Sequence, residues 1–406
     1  MSKTWKWITG VLAAILCLLF ITLIFFYKDI NEIRQILKYA GLFEAETITE
    51  NFRTMCDKYP FTTVKHSGDV YTIESGLKDL PDSYTFNGKN KKISDWIEES
   101  GTTGLLIVHD GKILFEQYYL GTDESTHLIS MSVAKSVLSF LLGVSIEEGK
   151  IISLQDSVDK YVPELSGTGY EGVSIKDVLQ MSSGIRFTED YNDLKSDFVQ
   201  LIAAFTTGSL DDFICSLPNE TVPGTHNRYV SANTQVLGMV IAKANGKSIT
   251  QLTEEKLWSQ LGTESDAMWL TDDHGKELTL GGFNAVLRDY ARFGLLYLNG
   301  GKNHQGRQLI SKEWIDASHS PDAEHLMPGS GNILSDSPLG YGYHWWLPEK
   351  PKNDYLAIGI YGQFIYISPD TNTVIVKTSA FADYDPSTYD FENECIEVFQ
   401  TIAGSL

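Results

Sequence analysis

The run Leu-Ile-Ser-Met-Ser-Val-Ala-Lys-Ser-Val-Leu-Ser-Phe-Leu-Leu-Gly-Val-Ser, residues 128–145, is apolar on nearly every side when wound as a helix. A helix with no polar face belongs in a core. Its one charged side chain is Lys135, and Ser132 stands three positions earlier, on the same face. Burial disfavours the ammonium and pushes a lysine toward the neutral amine. An amine of that kind beside a serine hydroxyl is a base and nucleophile pair. The competing reading is a core helix whose lysine snorkels to the surface.

Upstream lies a hairpin. Leu105–His109 and Ile113–Tyr119 flank Asp110-Gly111, a two-residue turn signal. Downstream, helical patterns dominate from about 155 to 330, among them Ile175–Met181, Phe198–Thr206, Thr234–Ala244 and Ala285–Leu298. Strand character returns in Tyr355–Ile360, Gln363–Ile367 and Thr373–Thr378, and a helix over Phe391–Ala403 follows. Strands near both ends of a helical middle predict an α/β (α+β) fold. One antiparallel sheet is built from N- and C-terminal strands and flanked by helices, with an all-α lobe at about 155–330 inserted into it.

The N-terminal segment has a different character. After Lys3 and Lys6 the chain is uncharged from Trp7 to Tyr27. As a helix that stretch is about 31 Å long, enough to cross a bilayer core. It ends in bulky Ile-Phe-Phe-Tyr rather than the small residues a signal peptidase needs, so an uncleaved anchor is expected. Lysines ahead of the span put the N-terminus in the cytoplasm and the rest of the chain outside it.

The net charge of −21 argues against nucleic acid and against anionic membrane surfaces as partners. Cysteines at 17, 56, 215 and 395 have no metal-binding spacing, and Cys17 lies in the apolar leader. Cys56, Cys215 and Cys395 leave room for at most one disulfide, of unassigned pairing. No residue set suggests a metal, and no Gly-x-Ser-x-Gly elbow is present.

Two further blocks carry chemistry. Pro223–Gly238 holds Tyr229-Val-Ser231 on a loop leading into an apolar helix. A tyrosine near a cationic lysine has its phenolate favoured and can relay protons. Tyr355–Gln363 contains Gly359 and Gly362, and glycines in a strand mark a close backbone approach or a bulge.

Together with Leu179–Gly184, Gly282–Asp289 and Gly340–Trp346, these blocks resemble the serine β-lactamase-like superfamily, in its class C and esterase branch, closest to the 6-aminohexanoate-dimer hydrolase type. The resemblance runs from about residue 50 to the C-terminus. It implies Ser132 as acylated nucleophile, Lys135 as general base and Tyr229 as proton relay. It also implies backbone N–H groups of Ser132 and Ile360 as oxyanion donors, with no cofactor. Tyr191, Asn284, Trp346 and Gln363 lie in blocks that line the cleft in similar proteins, though each is equally suited to packing.

The third block departs from the pattern. β-Lactamases and transpeptidases carry a Lys or His there for the substrate carboxylate, whereas this chain reads Ala357-Ile358-Gly359. The expected activity is therefore hydrolysis of a small-molecule ester or amide. A penicillin-binding-type carboxypeptidase or β-lactamase ranks second, and a non-catalytic wall- or peptide-binding module third. The implied organisation is a stub and anchor at 1–28, a membrane-proximal extension at 29–90 and a hydrolase domain at 91–406. The implied setting is a bacterial cytoplasmic membrane, spanned once, with the hydrolase domain on the extracytoplasmic side.

Overall fold

The computed structural model describes residues 34, 37, 39, 41–191, 193–330, 337–385 and 388–406. The expected membrane span at 7–27 lies outside them. Among the described residues no helix is long and apolar enough to cross a membrane.

Five long antiparallel strands form the centre: β1 (Thr102–His109), β2 (Lys112–Tyr118), β3 (Tyr355–Gly359), β4 (Gln363–Ser368) and β5 (Thr373–Ser379). β1 and β2 are joined through Asp110 and Gly111, whose φ angles of 48° and 74° are those a tight hairpin turn of this hand requires. The order β3-β4-β5-β1-β2 brings the C-terminal strands beside the N-terminal hairpin, with Ile375 opposite Ile107 at the seam. Short strands Gly340–Tyr341 and Trp346–Leu347 extend the β3 edge, and Glu74–Ser75 pairs in parallel with β2.

Both faces of this sheet are covered, which is why β1 is apolar without alternation. Leu105 and Ile107 face a core shared with Phe399 and Ile402 of the helix Asp390–Gly404. Leu106 and Val108 face the larger core, which contains α1 (Ala134–Glu147) and α2 (Leu287–Leu298). Every residue of α1 from Ala134 to Ser145 is buried, as its sequence requires.

Three expectations need correction. Residues 128–145 are not one helix: Leu128–Ile129 is a strand, Met131–Val133 a 3-10 turn, and the α-helix begins at Ala134. The lobe at 155–330 is not all α. Ala267–Leu270 and Phe283–Ala285 pair with each other, and respectively with Phe61–Val64 and Leu128–Ile129, in a second, four-stranded sheet. Nor does α2 belong to that lobe. It lies against the main sheet, where a Cβ on Gly294 would come within 2.6 Å of Val374. Cys56, Cys215 and Cys395 are all free thiols.

Candidate active site

Met131, with φ of 46°, turns the chain sharply ahead of Ser132 and leaves the hydroxyl at the mouth of the buried helix. The start of α1 then carries Lys135 inward, where it is 1% exposed. Its amine donates to Ser132 Oγ at 2.9 Å and to the Leu280 carbonyl at 2.7 Å. Burial pushes Lys135 down to about 7, against the opposing pull of the Glu189 carboxylate.

Tyr229 arrives from a different part of the chain. Its loop is pinned to the Leu179–Gly184 block by Gly224 N–H donating to the Ser182 carbonyl at 2.8 Å, and by Arg228 N–H donating to the Met181 carbonyl at 2.8 Å. The Tyr229 ring stacks on Trp346, centroids 5.3 Å apart, and Lys135 Nζ lies 5.1 Å from its centre. Ser132 and Tyr229 line the same cavity, and the Ser132 hydroxyl pulls the phenol's pKa down, against the effect of burial. Serine, lysine and tyrosine therefore share one small volume.

The protonation expected of Tyr229 is reversed. Burial, and then the charge of Glu189, raise it well above the usual phenol range. Burial also pushes Lys135 down to about 7, which weakens the charge that would favour a phenolate, so the raised Tyr229 is a neutral phenol able to donate.

Gly359 ends β3 against this turn. A Cβ there would fall 2.5 Å from the Ser130 carbonyl and 3.0 Å from Met131 Cβ. The close approach inferred for this glycine is thus made by the turn just ahead of Ser132, and Ile360 and Ser132 line the same cavities.

Two cavities meet at Ser132, Tyr191 and Ile360. One is lined by Glu189, Tyr229, Trp346, Tyr384 and Glu392. The other is narrower and walled almost entirely by apolar side chains. Tyr191 and Trp346 therefore stand in the cleft. Asn284 and Gln363 do not. Asn284 is buried in the second sheet, donating to the Gly282 carbonyl at 3.0 Å. Gln363 ties β4 to β5 by donating to the Ser379 carbonyl at 2.7 Å and accepting from its N–H at 3.2 Å. Of the neighbouring tryptophans, Trp345 is wholly in the core.

Glu189 is the site residue that sequence reading missed. It accepts from Ser231 N–H at 2.8 Å, Ser231 Oγ at 2.5 Å and Tyr191 Oη at 3.1 Å. It thereby joins the Tyr-x-Ser block to Lys135 electrostatically. A lone glutamate in the polar run Phe187-Thr-Glu-Asp-Tyr191 gives no signal for this. Glu392 was missed too. It is 3% exposed, accepts from Tyr384 at 2.6 Å and comes from the last helix.

Comparison with known proteins agrees with this geometry. Residues 93–391 match the Beta-lactamase family model. The 6-aminohexanoate-dimer hydrolase of Paenarthrobacter ureafaciens is 32% identical over 298 residues, covering 71% of this chain and 75% of that protein. A solved structure from Bacillus anthracis, assigned to the 6-aminohexanoate-dimer hydrolases, superposes with a TM-score of 0.79 at 24% identity, covering 90% of this chain and 95% of that one. A family VIII carboxylesterase shares the fold with a TM-score of 0.58 at 15% identity, over 77% of this chain and 95% of its own. With a family match across most of its length, this chain belongs to the β-lactamase family and is an enzyme of the serine hydrolase class.

Proposed function

We propose that this enzyme cleaves a small ester or amide through an acyl-enzyme on Ser132, and that residues 7–27 tether it to a membrane. The observation that carries the chemistry is the Lys135 amine, 2.9 Å from Ser132 Oγ and pushed down to about 7. Once neutral, that amine has a lone pair to take the hydroxyl proton as Oγ attacks the carbonyl carbon. Backbone N–H groups of Ser132 and Ile360 receive the developing oxyanion. Tyr229 gives its proton to the departing alkoxide or amine as the acyl–heteroatom bond breaks. Water then attacks the ester on Ser132. Its proton passes to the Tyr229–Lys135 pair, and the acid leaves with Oγ re-protonated.

The polar cavity favours this reading over a β-lactamase or carboxypeptidase. Among the described residues it is lined by two glutamates, with neither Lys nor Arg at its wall. A substrate carboxylate would find no bidentate cation there, and any charge on the two glutamates would repel it. A fluorophosphonate probe is expected to leave one adduct, on Ser132, with short p-nitrophenyl esters hydrolysed faster than nitrocefin. Mass spectrometry finding no adduct at Ser132 would favour a non-catalytic module. Nitrocefin turning over faster than the esters would reverse the ranking of substrates.

The pH dependence follows from Lys135. Its neutral form is the active one, so kcat/KM should rise with pH through about 7 rather than near the ordinary lysine range. The Glu189 carboxylate raises the Lys135 pKa, so Glu189→Gln should move the rising limb to lower pH. A limb that moves upward in that variant would mean Glu189 does not act through the lysine.

A further inference from the structure

Resting on the acyl-enzyme reading above, we infer that the apolar cavity beside Ser132 is the acyl-chain site, built for an aliphatic acid longer than acetate. Its outer wall is supplied by Tyr39 and by residues between 42 and 59, ahead of the residues that match the family model. The two cavities share Ser132 and Ile360 and then diverge. Tyr229 lines only the polar one. A proton donor to the leaving group must stand where that group departs, so the alcohol or amine occupies the polar cavity. The acyl chain, attached to the same carbonyl, is left the other branch.

That branch suits a hydrocarbon. One side is formed by Phe198, Ile202 and Phe205 of the helix Asp197–Thr207, and the floor by Leu270, Leu278 and Leu280. The opposite side comes from Leu42, Phe43, Met55 and Tyr59. Among the described residues, its polar side chains are Ser132 and the tyrosines Tyr39, Tyr59 and Tyr191, with no Lys, Arg, Asp or Glu. A charged acyl group would therefore lose its hydration without a charged partner.

The outer wall is fixed in place. Asn51 Nδ2 donates to the Leu42 carbonyl at 2.8 Å, and Arg53 Nη1 donates to the Gly121 carbonyl at 2.7 Å. Phe43 lies flat on Tyr361, centroids 4.7 Å apart and planes 5° apart, and Phe52 meets the same ring edge-on at 5.7 Å. Tyr361 follows Ile360 directly and holds a φ of 62°. The segment that closes the acyl site thus also braces the residue assigned to the oxyanion. Tyr59 reaches across to Phe205, with 5.7 Å between ring centroids, so the two walls touch.

The test is a p-nitrophenyl ester series from acetate through butyrate and hexanoate to octanoate, run on the full chain. In the wild type, kcat/KM should rise from acetate to hexanoate by about tenfold or more, since each buried methylene contributes. Met55→Trp fills the cavity and should bring the hexanoate-to-acetate ratio down toward one. Phe205→Ala lengthens the cavity and should raise octanoate relative to hexanoate, an independent reading should the tryptophan variant not fold. Each protein is also labelled with fluorophosphonate. An adduct on wild-type Ser132 together with a flat ester series, or with ratios unmoved in both variants, overturns the acyl site while leaving the acyl-enzyme standing. Absence of the adduct overturns both.

Discussion

Ser132→Ala is expected to lower kcat/KM for a p-nitrophenyl ester by ~10⁴-fold or more, equivalent to about 5 kcal/mol of transition-state stabilisation. The size follows from the chemistry. On the proposed mechanism there is no acyl-enzyme without Oγ, and what remains is binding and the oxyanion donors, which do not form a bond. The fold should survive. Ser132 is partly open to the cleft, and Lys135 keeps its second acceptor, the Leu280 carbonyl at 2.7 Å. A change of this kind away from the packed interior costs within about 1 kcal/mol, so thermal unfolding should be nearly unchanged. Fluorophosphonate labelling must vanish in the same variant. Esterase activity within tenfold of the wild type, in a folded Ser132→Ala protein, would remove Ser132 from the mechanism.

Much of this site was legible because its parts are local. Ser132 and Lys135 are three residues apart, and the apolar run that buries the lysine is continuous, so both the pairing and the depressed pKa follow from the string of residues. The central sheet was legible for a similar reason: Asp110-Gly111 marks one hairpin, and three apolar runs near the end mark the remaining strands. What escaped is non-local. The second sheet is assembled from segments of two to four residues at 61–64, 128–129, 267–270 and 283–285, too short for periodicity to register. Leu128–Ile129 is as apolar as the helix that follows, so only the left-handed Met131 separates strand from helix. Glu189 is significant solely because the Tyr229 loop and α1 converge on it. The protonation of Tyr229 is not legible in the sequence, because it depends on the burial of two side chains from separate segments. A charged lysine lowers a phenol's pKa, but burial here pushes Lys135 down to about 7 and raises the phenol itself.

Lys135→Met is the variant with the next largest expected loss, ~10³-fold in kcat/KM, a central figure for removing a general base. Methionine is chosen over alanine because Lys135 is among the largest fully buried side chains, and truncation to Cβ would open a cavity as well as remove the base. The thioether fills most of the space, and no ammonium then has to be accommodated. The cost is the Leu280 carbonyl, which loses its donor, about 1–3 kcal/mol if no water replaces it. The diagnostic is the pH profile rather than the rate alone. In the wild type the rising limb near pH 7 reports the lysine giving up its proton. In Lys135→Met that limb should disappear, leaving a residual rate that climbs with hydroxide and shows no plateau. A structural defect would lower the rate at every pH and keep the limb where it was. If the limb near pH 7 persists in the methionine variant, the titrating base is another group. Glu189, raised by burial and hydrogen-bonded to Ser231, would be the first to examine.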